Sequence, residues 1–474
     1  MSATSNLSWE SRALEKKSNI LSLLPKEYIH SGLSHSTTET ASVQGIPQNF
    51  LSPKELEITA LDVPAILSAL ASGEYTSVQV LQAFTHRAAI AHQLLNCCME
   101  FSYASALSRA QKLDDSFRAS GGKTVGPLHG LPFSVKDQCR VIGTETTCGP
   151  SAYQGLWGLR PSSGRIPYHD VLNSMEGQEI MPSVVGPMSH SVSSLTLFTK
   201  TVIAAQPWLV DPKCQPILWR EEIYQSAIAG KKLKIGIMEW DEEILPQPPI
   251  RWAMRELEAR LKAAGHEVFP WRIDQKTALS IVMRVFSSDA SGDIDRSRAL
   301  SGEPPQNVMT AISPNVPPLT LLGYWSLACE RLAFQAAILE QWNETSKAGS
   351  SDQVMDVYLT PVNPAVAPKH GHYGRGRYLA YTGTVNVLDF SACTVPVGFV
   401  DPEIHKADQG STLDANGKEI PAVRSELDGY LRSIYDPEVY KGLPVTVQVV
   451  GRRMEEEKVL GVATMLEKLL KERP

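Results

Sequence analysis

The chain has 474 residues, of which 43% are hydrophobic and 20% are charged, and 45 Lys and Arg against 51 Asp and Glu give a net charge of −6. This length can bury a large core, and the absence of any Lys/Arg block argues against nucleic acid or an anionic membrane surface as a partner. No run of about 18 apolar residues is present, so a membrane span is not expected. The seven cysteines form no CxxC pair, which predicts neither a metal site nor a disulfide framework. The polar N-terminus has no apolar stretch typical of a signal peptide, and we predict a cytoplasmic protein.

The first elements in chain order are helical. Residues 1–50 are rich in Ser and Thr with few apolar clusters, and they predict an arm on the surface, followed by one large domain over residues 51–474. Thr76 and Gln79 fit a capping box, in which each side chain satisfies a backbone N–H of the other and so begins a helix. Apolar residues at three- and four-residue steps predict a second helix over residues 106–117.

A short apolar run, LPFSV at residues 131–135, ends on Lys136 and Asp137. It predicts a buried strand that delivers Lys136 to the end of a sheet. A buried ammonium group is disfavoured relative to the neutral amine, which could act as a base. The alternative is a structural lysine paired with Asp137 at the strand end.

The rest of the chain alternates strands and helices. A strand at residues 234–238, a helix at 250–264 and a strand that begins at 268 form one βαβ unit, which favours a parallel sheet with helices outside. The Val-rich run at 444–450 predicts a strand buried on both faces. A helix follows over residues 455–471, with its apolar residues on one face.

Common catalytic signatures are absent: HExxH, GxSxG, a P-loop and a strand-linked GxGxxG do not occur. Several longer segments nevertheless resemble the amidase signature family, and fungal acetamidase-type amidases in particular. The resemblance covers nearly the whole chain from about residue 9. It rests on residues 126–137 (GPLHGLPFSVKD), 143–147 (GTETT), 158–168 (GLRPSSGRIPY) and 183–188 (SVVGPM), with support from 87–93 (RAAIAHQ), 360–364 (TPVNP) and 449–453 (VVGRR).

This resemblance implies a single-domain α/β/α fold built round a large mixed β-sheet covered by helices. It also implies hydrolysis of small-molecule amides at the C–N bond, with no cofactor and no metal. In the family a lysine deprotonates a bridging serine held in a cis peptide, and that serine activates a nucleophilic serine that forms an acyl-enzyme. Backbone N–H groups of a Gly-rich loop hold the oxyanion. Lys136 matches the catalytic lysine of the family, the general base.

Neither serine of the triad has a match in this chain. Family members place several tens of residues between the catalytic lysine and the Gly-Leu-Arg-Pro segment, and these residues carry both serines and the oxyanion loop. Here only 22 positions separate Lys136 from Gly158, and no Gly-Gly-Ser occurs anywhere in the sequence. The sequence therefore predicts a fold with a central piece deleted, and the join falls near residues 149–154.

Four other side chains are candidate substitutes for the absent serines. Ser162 and Ser163 are adjacent, but the matching family positions are structural. Ser134 would share a strand face with Lys136 yet lacks an oxyanion hole, and each donor of such a hole is worth about 10²–10³ in rate. Cys139 is a weaker candidate still.

Two hypotheses from different classes follow. In the first, the protein is an amide hydrolase and the segment is absent through exon skipping or an incorrect gene model. In the second, it is a non-catalytic remnant or pseudoenzyme with at most a binding role. A deletion from the middle of a sheet would expose apolar faces, which predicts poor solubility. The sequence holds no signal for the oligomeric state.

Overall fold

The computed structural model describes residues 8–33, 43–141, 155–304, 316–347, 349, 351–368, 375–408, 413–414 and 417–472. The chain divides into two compact units. The first comprises Met1–Ser151, Asp170–Ser174 and Ile294–Pro304, and the second comprises Ala152–His169, Met175–Asp293 and Pro305–Pro474. The division into an arm and one domain stays a prediction, and the predicted join near residues 149–154 lies outside the described residues.

The first unit is built mainly from helices. These are α1 (Trp9–Ser22), α2 (Pro53–Ala60), α3 (Val63–Ser72), α4 (Ser77–Leu95) and α5 (Tyr103–Ala119). Helix α1 lies within the segment predicted as an arm. The capping box at the start of α4 is confirmed, because Gln79 N donates to Thr76 Oγ1 at 3.1 Å and Thr76 N donates to Gln79 Oε1 at 3.0 Å. The buried core of the unit includes Ile58, Ile66 and Val80.

The expected strand over residues 131–136 is wrong. This stretch has no regular secondary structure, and Phe133 and Val135 are 54% and 55% exposed. A short apolar run forms a strand only when a neighbouring strand supplies the ladder of hydrogen bonds, and no local pattern provides that neighbour. The nearest pairing is an isolated antiparallel bridge between Cys139 and Val171.

The second unit contains a mixed sheet of seven strands in the described part of the chain, in the order β2-β1-β6-β7-β5-β3-β4. The strands are β1 (Trp157–Arg160), β2 (Met188–Ser189), β3 (Lys234–Ile237), β4 (Glu267–Pro270), β5 (Val357–Pro361), β6 (Ala392–Phe399) and β7 (Pro444–Val450). Strand β3 pairs in parallel with β4 and β5, whereas the pairs β5–β7, β6–β7, β1–β6 and β1–β2 are antiparallel. The register places Leu359 opposite Val449.

Helices cover both faces of this sheet. They are α6 (Val192–Ala204), α7 (Glu221–Ile228), α8 (Pro248–Ala263), α9 (Gln275–Phe286), α11 (Leu321–Glu344), α12 (Ala380–Leu388), α13 (Glu426–Ser433) and α14 (Glu456–Lys471). Helix α10 (Gly292–Ser301) belongs mostly to the first unit. Alternate residues of a strand face opposite sides, so Val357 and Leu359 pack with α8 and α14 while Tyr358 packs with α9, α11 and α12. The predicted mixed sheet covered by helices is confirmed.

Two predicted stretches agree closely with the structure. Strand β3, helix α8 and strand β4 form the expected parallel βαβ unit, and Gly265 takes the positive φ of 83° that ends the turn after α8. Strand β7 and helix α14 follow at the C-terminal end, where Val459, Val462 and Leu466 are fully buried. Among the helices in the described ranges, none combines the length and the hydropathy needed to cross a membrane.

Candidate functional site

Lys136, the residue predicted as the general base, is exposed in the first unit. Its Nζ donates to Gln138 Oε1 at 2.6 Å. Gln138 is itself held by Leu172, since its Nε2 donates to Leu172 O and its backbone O accepts from Leu172 N, each at 3.0 Å. The buried environment expected to favour the neutral amine is therefore not found. The general-base role of Lys136, which the family resemblance implies, stays a prediction.

Replacing Lys136 by Ala should change the free energy of unfolding by less than about 0.5 kcal/mol, because an exposed side chain contributes little to stability. Urea denaturation of the variant and of the exposed control Lys123→Ala measures the effect. A loss of 2 kcal/mol or more in Lys136→Ala alone would show that the ammonium group is part of a buried site.

The substitute nucleophiles near Lys136 gain no support from the geometry. Ser134 is exposed and lies on no strand, so it does not share a strand face with Lys136. Burial raises the pKa of the Cys139 thiol above its ordinary value; the charge of Lys136 partly opposes this rise, and the charge of Asp137 adds to it. Because the thiolate is the reactive form, this shift disfavours Cys139 as a nucleophile at neutral pH.

A buried ion cluster surrounds the Gly-Leu-Arg-Pro segment in the second unit. It joins the loop after β1 to the start of β6 and to the first turn of α14. Its members are acidic, basic and hydroxyl side chains from these three places: Arg160, Ser162, Ser163, Arg165, Asp389, Ser391, Glu456 and Glu457.

Ser162 is fully buried in this cluster and both of its polar groups are engaged. Its backbone N donates to Glu456 Oε1 at 2.8 Å, and its Oγ accepts from Met454 N at 2.8 Å. The Oγ also lies 3.1 Å from Ser391 Oγ, which donates to the same Glu456 oxygen at 2.9 Å. The hydroxyl of Ser162 therefore ties β6 and α14 to the segment after β1.

Ser163 points to Asp389 instead. Its N and Oγ donate to the two Asp389 oxygens at 2.9 and 2.6 Å, and Arg160 and Arg453 contact the same carboxylate at 2.9 and 2.8 Å. Burial works to raise the pKa of Asp389, but the charge of Arg160 and the hydrogen bonds from Ser163 outweigh it, so the pKa lies below its ordinary value. Asp389 is thus held as a carboxylate between cations.

Arg165 contacts two adjacent glutamates at the start of α14. Its Nε lies 3.2 Å from Glu456 Oε2, and it also donates to Glu457. Glu457 pairs in addition with Arg220 at 2.6 Å. Two acidic residues in the first turn of a helix also interact favourably with the helix dipole. Buried charges that are paired in this way are costly to disrupt.

The arrangement supports a structural role for Ser162 and Ser163. Their hydroxyls are already satisfied by carboxylate, hydroxyl or backbone partners, and Ser162 is closed to solvent. A nucleophilic serine needs an adjacent base and an open approach for the substrate carbonyl. The prediction that these two serines are structural is consistent with these contacts.

Replacing Ser162 by Ala should lower the free energy of unfolding by about 1–3 kcal/mol, because the Met454 N–H and the Ser391 hydroxyl lose a buried partner. The exposed control Ser134→Ala should change it by less than about 0.5 kcal/mol. Thermal or urea unfolding of both variants measures the difference. Equal stability of the two would contradict the structural role.

Sequence reasoning missed the acidic half of this cluster. Asp389, Glu456 and Glu457 lie more than 220 positions along the chain from their partners in residues 160–165. One signal was present, since two arginines in a segment rich in Gly, Ser and Pro (residues 158–167) require acidic partners if they are buried. Nothing in the sequence indicates which acidic residues these are.

The second unit thus defines an α/β protein whose mixed sheet includes most of the Gly-Leu-Arg-Pro segment in strand β1. A sequence model of the family "Amidase" matches residues 79–149 and 150–460. The chain is 33% identical to an acetamidase of Emericella nidulans over 559 aligned positions, which cover 98% of each protein. It is 31% identical to amidase 1 of Gibberella moniliformis, with 87% of this chain and 94% of that protein covered. The chain belongs to the amidase family.

Solved structures agree on the fold. Fatty acid amide hydrolase superposes with a TM-score of 0.81 at 24% identity, covering 98% of this chain and 95% of that one. An amidase crystal structure superposes with a TM-score of 0.60 at 17% identity. At these identities the likeness concerns the architecture alone.

Proposed function

We propose that this chain is an amidase-family protein that lacks the segment bearing both catalytic serines and does not hydrolyse amides as it stands. The observation that carries the proposal is the division of the family match between residues 149 and 150. This division lies at the start of the stretch, 149–154, where the sequence alone places the join. The lysine of the triad lies before it, and the Gly-Leu-Arg-Pro segment lies after it.

The length of the alignment supports the same proposal. The 559 positions aligned with the Emericella nidulans acetamidase exceed the 474 residues of the chain by 85. At least 85 positions of the alignment therefore contain no residue of this chain. A segment of this size can hold several strands and helices, which is enough for the two serines and their Gly-rich loop.

Exposed apolar residues just before the join also support the loss of a segment that would bury them. Phe133 and Val135 are each more than half exposed, and they come directly before Lys136. In a strand of an intact sheet such residues would be buried on neighbouring elements. Without those elements Lys136 has Gln138 as its hydrogen-bond acceptor instead of a serine hydroxyl.

A second candidate function is an active amide hydrolase encoded by a longer transcript. The buried ion cluster favours it, because Arg160 and Arg165 keep their ion pairs with Asp389, Glu456 and Glu457 after the join. Restored to full length, the protein would use Lys136 as the base of a Ser–Ser–Lys triad on a small-molecule amide, without metal or cofactor. Its location in the cytoplasm stays a prediction.

Sequencing the transcript across the codons for residues 149–154 separates the two candidates. An in-frame insertion of about 85 codons with Gly-Gly-Ser runs would establish the active hydrolase. A transcript that reads through without insertion would establish the non-catalytic protein, whose activity is then tested directly on amides and with a serine-directed probe.

A further inference from the structure

Helix α11 presents an apolar stripe to solvent. The stripe recurs at alternating steps of three and four residues, as in the a and d positions of a heptad. Its large members are between 47% and 73% exposed. It consists of Leu322, Trp325, Cys329, Leu332, Ala336 and Leu339.

The stripe lies opposite the face by which α11 is anchored. Leu327, Phe334, Ile338 and Trp342 are buried in the core of the second unit. At 100° per residue these four point to one side of the helix, and the stripe is centred about 160° away. The stripe is therefore a second apolar face of this helix, and it is exposed within the part of the chain that the structure describes.

We infer that this stripe binds the same stripe of a second copy of the chain, with the two α11 helices antiparallel. This inference goes beyond the proposed function and does not depend on it. Antiparallel seams place each a residue beside a d residue of the other helix. One register does so along the whole stripe, pairing Leu322 with Leu339, Trp325 with Ala336 and Cys329 with Leu332.

Shape favours this register, because the largest side chain of the stripe meets the smallest. A surface depression of about 440 Å³ begins at Ala336 and is lined by Ala336, Leu339, Glu340, Asn343, Glu344 and Lys347. Long helical side chains lean toward the N-terminus of their own helix. In the antiparallel pair the indole of Trp325 therefore leans from Ala336 toward Leu339 and Asn343 of the second copy, which is over this depression.

Shape also favours the antiparallel direction over the parallel one. In a parallel pair each residue of the stripe would face its own counterpart, so Trp325 would meet Trp325 across the seam. The residues that flank the stripe are Ser326, Ala333 and Glu340 on one side and Leu321, Ala328 and Gln335 on the other. Glu340 alone among them is charged, so charge does not decide the direction.

The length of the stripe limits the expected affinity of the dimer. From Leu322 to Leu339 it extends about 26 Å, which makes one helix-to-helix contact. Such a contact is smaller than the roughly 800 Å² per partner of a standard interface. We therefore expect a dimer with a dissociation constant in the micromolar range.

Sedimentation velocity of the full chain between about 1 and 100 µM tests the interface. Ala336→Glu, on the stripe, should weaken dimerisation at least tenfold, because it sets a carboxylate against Trp325 in both symmetric contacts. Ala337→Glu is the matched control, since Ala337 is also exposed on the same helix but lies off the stripe. It should leave the dissociation constant unchanged within about twofold.

Cys329 provides a test of the register. Its exposed free thiol lies next to the two-fold axis of the proposed pair, so a short bismaleimide should link two chains through Cys329 when Cys97 and Cys98 are replaced by Ser. A cross-linked dimer that disappears in Ala336→Glu and persists in Ala337→Glu would support the inference. A monomer at every concentration, or any assembly equally populated in both variants, would overturn it.

Discussion

Incubated with acetamide or a longer aliphatic amide, the purified chain is expected to release no ammonia above the uncatalysed rate. The chain has no Gly-Gly-Ser, and Ser162 and Ser163 are occupied in the buried ion cluster. Loss of a catalytic nucleophile alone costs about 10⁶ in rate, and each absent oxyanion donor costs about 10²–10³ more. The Emericella nidulans acetamidase, assayed in parallel, supplies the positive control.

A fluorophosphonate probe for activated serines gives the same test without choosing a substrate. The chain should stay unmodified while the acetamidase control is labelled. Stoichiometric labelling of this chain would refute the proposal, and the modified peptide would identify Ser134, Ser162 or Ser163 as the nucleophile.

A chimera tests the same proposal through a gain of activity. Inserting the corresponding segment of the acetamidase between residues 149 and 150 should restore probe labelling and amide hydrolysis. In that chimera Lys136→Ala should abolish both, whereas in the present chain it changes neither. A chimera that folds and stays unlabelled would show that the loss extends beyond the inserted segment.

The largest expected effect on stability belongs to Asp389. Asp389→Ala should lower the free energy of unfolding by about 3–5 kcal/mol, because it leaves Arg160 buried without its carboxylate. It also removes the acceptor of both Ser163 donors. Urea denaturation measures the change. Asp115→Ala is the matched control, since Asp115 pairs with Arg118 on the exposed surface and should contribute less than about 1 kcal/mol.

The contribution of Asp389 should also depend on pH in a defined direction. Because its pKa in the folded protein lies below its ordinary value, its stabilising effect is complete above the pKa of the unfolded state and is lost as the pH falls through the folded pKa. The stability difference between wild type and Asp389→Ala should therefore narrow on acidification. A difference that is constant from neutral pH down to pH 2 would contradict the ion pairing.

The secondary-structure elements that the structure confirms are those that local sequence patterns predict. The capping box at Thr76, the βαβ unit from Lys234 to Pro270 and the terminal β7–α14 pair each carry the spacing of their element in the sequence. Apolar spacing determines these elements because it specifies which face of each element must be buried, independently of the segment that packs against that face. The family resemblance added the mixed sheet covered by helices, which is confirmed, and the general-base role of Lys136, which stays a prediction.

The conformation of residues 131–136 could not be predicted from apolar spacing. Their apolar run satisfies the pattern of a buried strand, yet Phe133 and Val135 are exposed because a strand also needs a neighbour along its edge. The acidic partners of Arg160 and Arg165 could not be predicted from the sequence either. Ion pairs between residues hundreds of positions apart leave no periodic trace.

The sequence by itself determined the α/β class, the main helices and strands of the C-terminal half, and the absence of the Gly-Gly-Ser runs, since these depend on local spacing and composition. Tertiary structure alone decided that Ser162 is closed inside a buried ion cluster, that Ser163 is bound to Asp389 at its edge, and that Lys136 is exposed. It also decided which face of α11 stays uncovered. The physical reason is that burial and charge pairing depend on what packs against a residue, and its neighbours in space come from distant parts of the chain.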